Sequence, residues 1–247
     1  MAGTWSSGGG LATARRYLAG AGTQTAGLCM GGNTGSAVTE EYDGASWSSG
    51  GNLATARYYL AGAGTQTAGL CMGGWSTARS AVTEEYDGAS WSSGGNLATA
   101  RTELAGAGTQ TAGLCMGGYT GAVSAVTEEY DGASWSSGGN LATARAGLAG
   151  AGTQTAGLCM GGNTGSVSAV TEEYDGASWS SGGNLATARY GLAGAGTQDA
   201  GLCMGGYISA VSAVTEEYNI AATGHPTIKR FGGIPFTRSA SQGVHVW

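Results

Sequence analysis

Chemistry in this chain would have to come from a few residue types that return at fixed spacing. Paired glutamates such as Glu84-Glu85 recur once per unit, and paired carboxylates are common agents of general acid and base catalysis. They sit in Ser80-Ala81-Val82-Thr83-Glu84-Glu85-Tyr86, where Val82, Glu84 and Tyr86 alternate with Thr83 and Glu85 in the period of a strand. Strand neighbours point to opposite faces, so the two carboxylates cannot converge on one bond. A structural role is expected instead, with the glutamate on the tyrosine face pairing with the one arginine per unit at Arg57, Arg101, Arg145 and Arg189. No Ser-His-Asp set can form within the repeats, because the histidines are His225 and His245. No catalytic residue is expected.

Metal and cofactor chemistry fare no better. Cys29, Cys71, Cys115, Cys159 and Cys203 each stand alone in an apolar Gly-Leu-Cys-Met-Gly-Gly run, without the clustered spacing of zinc ligands or of a disulfide scaffold. They read as buried free thiols that behave as small hydrophobes. Patterns such as Gly62-Ala63-Gly64 lack the strand-to-helix context of a phosphate loop. Neither metal nor cofactor is expected.

Binding chemistry remains, and differences among the internal copies locate it. The copies are nearly frozen except in two windows. One holds Arg16-Tyr17, Tyr58-Tyr59, Thr102-Glu103, Ala146-Gly147 and Tyr190-Gly191. The other follows the Gly-Gly pair and begins at Asn33, Trp75, Tyr119, Asn163 and Tyr207, with Arg79 inside its second copy. Neutral drift would scatter changes over exposed turns as well, since surface loops tolerate substitution. The variable set is rich in Tyr, Trp, Asn, Ser, Gly and Arg, the residues binding loops use. Unconstrained loops would vary too, so variation alone does not decide between the two explanations. The candidate ligand-binding residues are Arg16, Tyr17, Asn33, Tyr58, Tyr59, Trp75, Arg79, Thr102, Glu103, Tyr119, Asn163, Tyr190 and Tyr207.

What must position them is the repeat itself. Tryptophans fall at Trp5, Trp47, Trp91, Trp135 and Trp179, in steps of 42, 44, 44 and 44 that the cysteines share. A period in the 40s signals a repeat array. Within the second unit, Leu60–Gly64 and Gly69–Gly74 read as two short strands, Ser80–Tyr86 as a third, and the stretch carrying Trp91 as a fourth. Asp87-Gly88 has the composition of a two-residue hairpin turn. One meander cannot bury both faces, so five pack side by side, and the radial way to do this is a β-propeller. The expected fold is all-β, a five-bladed propeller of four-stranded antiparallel blades over 1–218, closed by the N-terminal Trp5 strand completing the last blade beside Tyr218. Strand order then brings both variable windows to one disc face.

The order of apolar run, Gly73-Gly74, variable loop, Tyr86, Trp91 and Arg101 resembles the kelch repeat, and the resemblance covers all five units. The phrase Glu-Glu-Tyr-Asp-Gly-Ala-Ser-Trp is also similar to repeat arrays of bacteriophage structural and tail-fibre proteins. This second resemblance implies a virion component that meets a glycan or protein on a target surface; Met1-Ala2-Gly3-Thr4, neither basic nor apolar, reads as no signal peptide, so synthesis in the cytoplasm is expected.

Charge and hydropathy exclude other partners. The chain of 247 residues has a net charge of −6, without the basic stripe that nucleic-acid binding needs. No apolar run is long enough to span a bilayer, so no membrane insertion is expected. Residues 219–247 differ in kind: Lys229, Arg230 and Arg238 make this segment +3 beside −9 in the repeats, and it ends in Val-His-Val-Trp. It reads as a segment for docking, self-association or a virion partner, or as a disordered end. The functional expectation is a non-enzymatic binding module. A structural or assembly protein and an artificial consensus-type scaffold also fit near-identical repeats.

Overall fold

The computed structural model describes residues 6–33 and 36–220, which are strand and loop throughout. Blade one is β1 (Ala19–Thr23), β2 (Ala26–Met30), β3 (Thr39–Tyr42) and β4 (Trp47–Ser49). Blade two is β5 (Ala61–Gly64), β6 (Gly69–Met72), β7 (Thr83–Tyr86) and β8 (Trp91–Ser93). Blade three is β9 (Ala105–Gly108), β10 (Gly113–Met116), β11 (Thr127–Tyr130) and β12 (Trp135–Ser137). Blade four is β13 (Ala149–Gly152), β14 (Gly157–Met160), β15 (Thr171–Tyr174) and β16 (Trp179–Ser181). Blade five holds β17 (Ala193–Gly196), β18 (Ala200–Met204) and β19 (Thr215–Asn219). Each blade is an antiparallel meander in chain order, and the five together make an all-β, five-bladed propeller.

The register is the same in every blade. In blade two, Gly69 faces both Gly64 and Tyr86, and Tyr86 faces Trp91. That pairing leaves four residues, Asp87 to Ser90, between the outer strands, so the expected two-residue Asp-Gly hairpin is corrected to a longer loop. The reason is the aspartate: its Oδ1 accepts the amides of Ala89 and Ser90 at 2.8 and 2.7 Å, closing the loop through the side chain. The same amides hold the Asp87 carboxyl below its ordinary range.

Small residues are needed where the inner strands crowd. A Cβ on Gly106 would lie 2.6 Å from the Gly62 carbonyl oxygen of the preceding blade, and one on Gly113 would lie 2.6 Å from the Leu70 side chain. The core is therefore a series of seams between blades. In one of them Leu70, Met72 and Leu97 of blade two and its linker pack with Cys115 and Tyr130 of blade three.

Each blade also contains an arginine–glutamate ion pair, which fulfils the expectation and is buried except at the partly exposed Glu216 of blade five. Arg101 and Glu128, both essentially inaccessible, meet at 2.7 Å. The other guanidinium nitrogen donates to the carbonyls of Gly117 and Val126, and Glu128 also accepts the Ala98 amide at 2.7 Å. Arg15 with Glu40 makes the same pair in blade one, so the arginine set is Arg15, Arg57, Arg101, Arg145 and Arg189. Beside each pair lies a buried free cysteine, and burial pushes Cys71 up to about 11.

Four seams are built alike, with β1 on β5, β5 on β9, β9 on β13 and β13 on β17. Between blades five and one the described residues are arranged differently. Ala193 and Ala195 of β17 are exposed, whereas Ala149 and Ala151 of β13 are buried. Trp5, expected to complete blade five, lies outside the described residues. So do Thr34, Gly35 and residues 221–247, and with them the expectations for the C-terminal segment.

Candidate functional site

The two variable windows are joined residue to residue. Tyr58 pairs with Trp75, Thr102 with Tyr119, Ala146 with Asn163, and Tyr190 with Tyr207, each as an antiparallel bridge. In the first copy the Arg16 carbonyl accepts the Asn33 amide, and the Arg16 amide donates to the Asn33 side chain at 3.0 Å. These pairs extend the inner end of every blade beyond its sheet. The constant turns, at Thr65–Ala68 and Asp87–Ser90 in blade two, lie at the opposite strand ends.

The second residue of the first window has a distinct geometry. Tyr17, Tyr59 and Glu103 have φ of 59°, 55° and 54°, and the equivalent Gly147 and Gly191 have 62° and 64°. This left-handed conformation is natural for glycine and costs other residues about 1–2 kcal/mol. It is held by a backbone ladder that runs around the axis. The amide of Tyr59 donates to the Tyr17 carbonyl, Glu103 to Tyr59, Gly147 to Glu103, and Gly191 to Gly147, at 2.7–2.9 Å.

This ladder rims a cavity of about 430 Å³ to which all five units contribute. It is lined by Tyr17, Tyr59, Glu103 and Tyr190 together with one leucine from each unit. The leucines were not singled out from the sequence because they are identical in every copy. A smaller cavity of about 290 Å³ adjoins it, lined by Tyr58, Tyr59, Trp75, Arg79, Thr102, Glu103 and Tyr119.

Aromatic rings and arginines dominate this face. Tyr17 and Tyr59 stack with centroids 4.2 Å apart, Tyr58 joins at 5.2 Å, and Arg16 lies over Tyr17 at 5.1 Å. Arg79 is held over Trp75 at 5.7 Å and over Tyr119 at 5.0 Å. Tyr190 and Tyr207 meet edge to face at 5.5 Å. Burial raises the Glu103 carboxyl above its ordinary value, and burial with the neighbouring Tyr17 hydroxyl raises Tyr59 strongly.

All thirteen sequence-derived candidates lie at this end of the blades. They are not equivalent. Arg16, Tyr17, Tyr58, Tyr59, Trp75, Arg79, Glu103, Tyr119, Tyr190 and Tyr207 form the aromatic and charged surface. Thr102, 4% exposed, is a wall element rather than an accessible contact. Asn163 turns its side chain to the Gly165 amide at 2.7 Å, shaping its own loop. Such a surface can stack planar or apolar faces, as of a sugar ring or an aromatic side chain, and can donate from arginine or accept at a carboxylate.

Among the described residues no cluster of three or more His, Cys, Asp or Glu side chains could hold a metal ion, and no helix is long and apolar enough to cross a membrane. No protein-family model matches the chain, and no curated protein matches it.

Proposed function

We propose that the protein is a non-enzymatic binding module whose variable face, centred on the axial cavity, recognises a glycan or a protein on a target surface. The observation that carries this reading is the coincidence of sequence variation with geometry. The two windows that differ among otherwise frozen units are bridged to each other at the rim of one cavity. The left-handed Tyr17, Tyr59 and Glu103 add support, because strain is retained there in positions where glycine also occurs. The twin glutamates are engaged in structural bonds, Glu84 with Arg57 and Glu85 with Tyr130, which speaks for a scaffold rather than for acid–base chemistry. The kelch-like order of Gly73-Gly74, Tyr86, Trp91 and Arg101, and the likeness to phage structural arrays, make a virion component the natural setting.

The test is a glycan and protein array probed with the wild-type chain and with a variant carrying Ser at Tyr58, Tyr59, Trp75, Tyr119 and Tyr207. The expected outcome is binding by the wild type alone, with melting temperatures within a few degrees of each other. A variant that still binds the same target, or that unfolds, removes the surface from consideration. A second reading, a structural or assembly module, is favoured by the exposed faces of blades one and five.

A further inference from the structure

The left-handed position at the axis is filled in an order that has chemical meaning. Along the backbone ladder it reads Tyr17, Tyr59, Glu103, Gly147 and Gly191, with Tyr190 beside the last glycine. Two aromatic rings come first, a single carboxylate follows them, and the two glycines leave the remaining arc without side chains at this position.

Glu103 is the sole carboxylate lining the axial cavity, and no lysine, arginine or histidine lines it. Its side chain is half-buried and forms no hydrogen bond or ion pair among the described residues. Burial alone raises its carboxyl, as a charge kept from water without compensation should show. The arginines of this face are engaged elsewhere. Arg16 lies over Tyr17, Arg79 lies over Trp75 and Tyr119, and neither pairs with Glu103. A half-buried, unpartnered negative charge on strained backbone is a cost to a scaffold, and it suits the cavity to a cation.

The space this carboxylate faces is bounded on its far side by an aromatic ring. A carbon placed as a Cβ on Gly147 would lie 3.7 Å from Glu103 Oε2, 3.5 Å from Tyr190 Cδ2 and 3.3 Å from the Gly191 amide nitrogen. Carboxylate and ring thus flank a gap that admits a methyl-sized group. The leucines decide which cation fits. A primary ammonium brings three N–H donors, and each one without an acceptor in an apolar lining is costly. A quaternary ammonium has no N–H to satisfy, presents methyl groups to leucine and aromatic carbon, and is attracted by both a carboxylate and ring quadrupoles. The cavity, at about 430 Å³, has room for such a headgroup.

We infer that the axial cavity binds a trimethylammonium group, with Glu103 as its counter-ion between the rings of Tyr59 and Tyr190. This rests on the reading of the variable face as a binding surface and narrows its target to one that bears such a group.

Titration calorimetry of the full chain with choline chloride tests this, with sodium chloride at equal ionic strength as the blank. Saturable binding of choline is expected. Dimethylbutanol, the isostere with carbon in place of nitrogen, and ethanolamine, which has the charge without the methyl groups, should each bind at least about tenfold more weakly. Glu103→Gln should weaken choline binding by at least about tenfold while thermal unfolding stays unchanged. Gly147→Ala, which fills the gap between carboxylate and ring, should weaken it likewise. Absence of saturable choline binding, equal affinity for the neutral isostere, or full affinity in Glu103→Gln overturns the inference. Target binding on the glycan and protein arrays without choline binding removes this inference alone and leaves the wider reading standing. Choline binding with silent arrays supports the ammonium site and withdraws the glycan or protein target.

Discussion

The Tyr86 hydroxyl donates to the Glu41 carboxylate across the seam between blades one and two, at 2.5 Å. It also accepts the Gly51 amide at 3.2 Å, so one phenol ties a strand, a linker and the preceding blade together. The twin glutamates thereby divide their work. Glu40 turns to Arg15 in its own blade, and Glu41 turns to the next blade.

This division predicts a position-dependent cost for one substitution. Tyr130→Phe removes a hydroxyl bonded to Glu85 inside a formed seam and is expected to destabilise by about 1–3 kcal/mol in denaturant unfolding. Tyr42→Phe, in blade one, where the hydroxyl has no such bond among the described residues, should cost well under half of that. Equal losses would show that the phenol acts through packing rather than through its hydroxyl.

The buried arginine predicts a larger effect. Arg101→Ala leaves Glu128 uncompensated in a dry interior and strands the Gly117 and Val126 carbonyls. The expected loss is about 3–5 kcal/mol. Adding Glu128→Gln to that variant should recover part of it, which a double-mutant cycle would read as coupling.

Alkaline pH should loosen the seams together. Burial and the partner carboxylate raise Tyr86, Tyr130 and Tyr174 from 10.0 to about 12, and burial raises Cys115 from 9.0 to about 11. Groups raised on folding contribute their full stability below the ordinary value and lose it as pH climbs to the folded one. Melting temperature is therefore expected to hold until about pH 9 and to fall steadily towards about pH 12. A flat profile across that window would show that these groups ionise in the folded chain as they do in the unfolded one.

Relief of backbone strain offers a prediction of opposite sign. Glu103 holds φ at 54° where blades four and five have glycine, and its side chain makes no hydrogen bond among the described residues. Glu103→Gly is expected to raise stability by up to about 1 kcal/mol, seen as a higher midpoint in denaturant. If the same change weakens target binding, the strain serves the cavity rim.

Much of this arrangement was legible in the repeated residues, and the exceptions have physical causes. Strand alternation in Thr83–Tyr86, the apolar Gly-Leu-Cys-Met run and the fixed tryptophan spacing together specify the blade. The arginine–glutamate pair was legible because a charge on a buried strand face requires a partner. The four-residue loop at Asp87 was not, because Asp-Gly composition does not reveal that the aspartate caps its own loop. The left-handed window residues were also hidden: tyrosine and glutamate give no sign of positive φ, and only Gly147 and Gly191 at equivalent positions hint at it. The role of Gln66, which spans a seam to two carbonyls, could not be read from an exposed turn sequence.

The one-way sense of the seams bears on how such a gene could change length. Each unit brings a set of donors in front and a matching set of acceptors behind, so loss or duplication of a whole unit by unequal recombination joins surfaces of the same kinds. Folding free energy should then scale with the number of adjacent pairs, as in a one-dimensional chain of coupled spins. Copy number becomes a heritable variable that selection can adjust without redesigning any single contact.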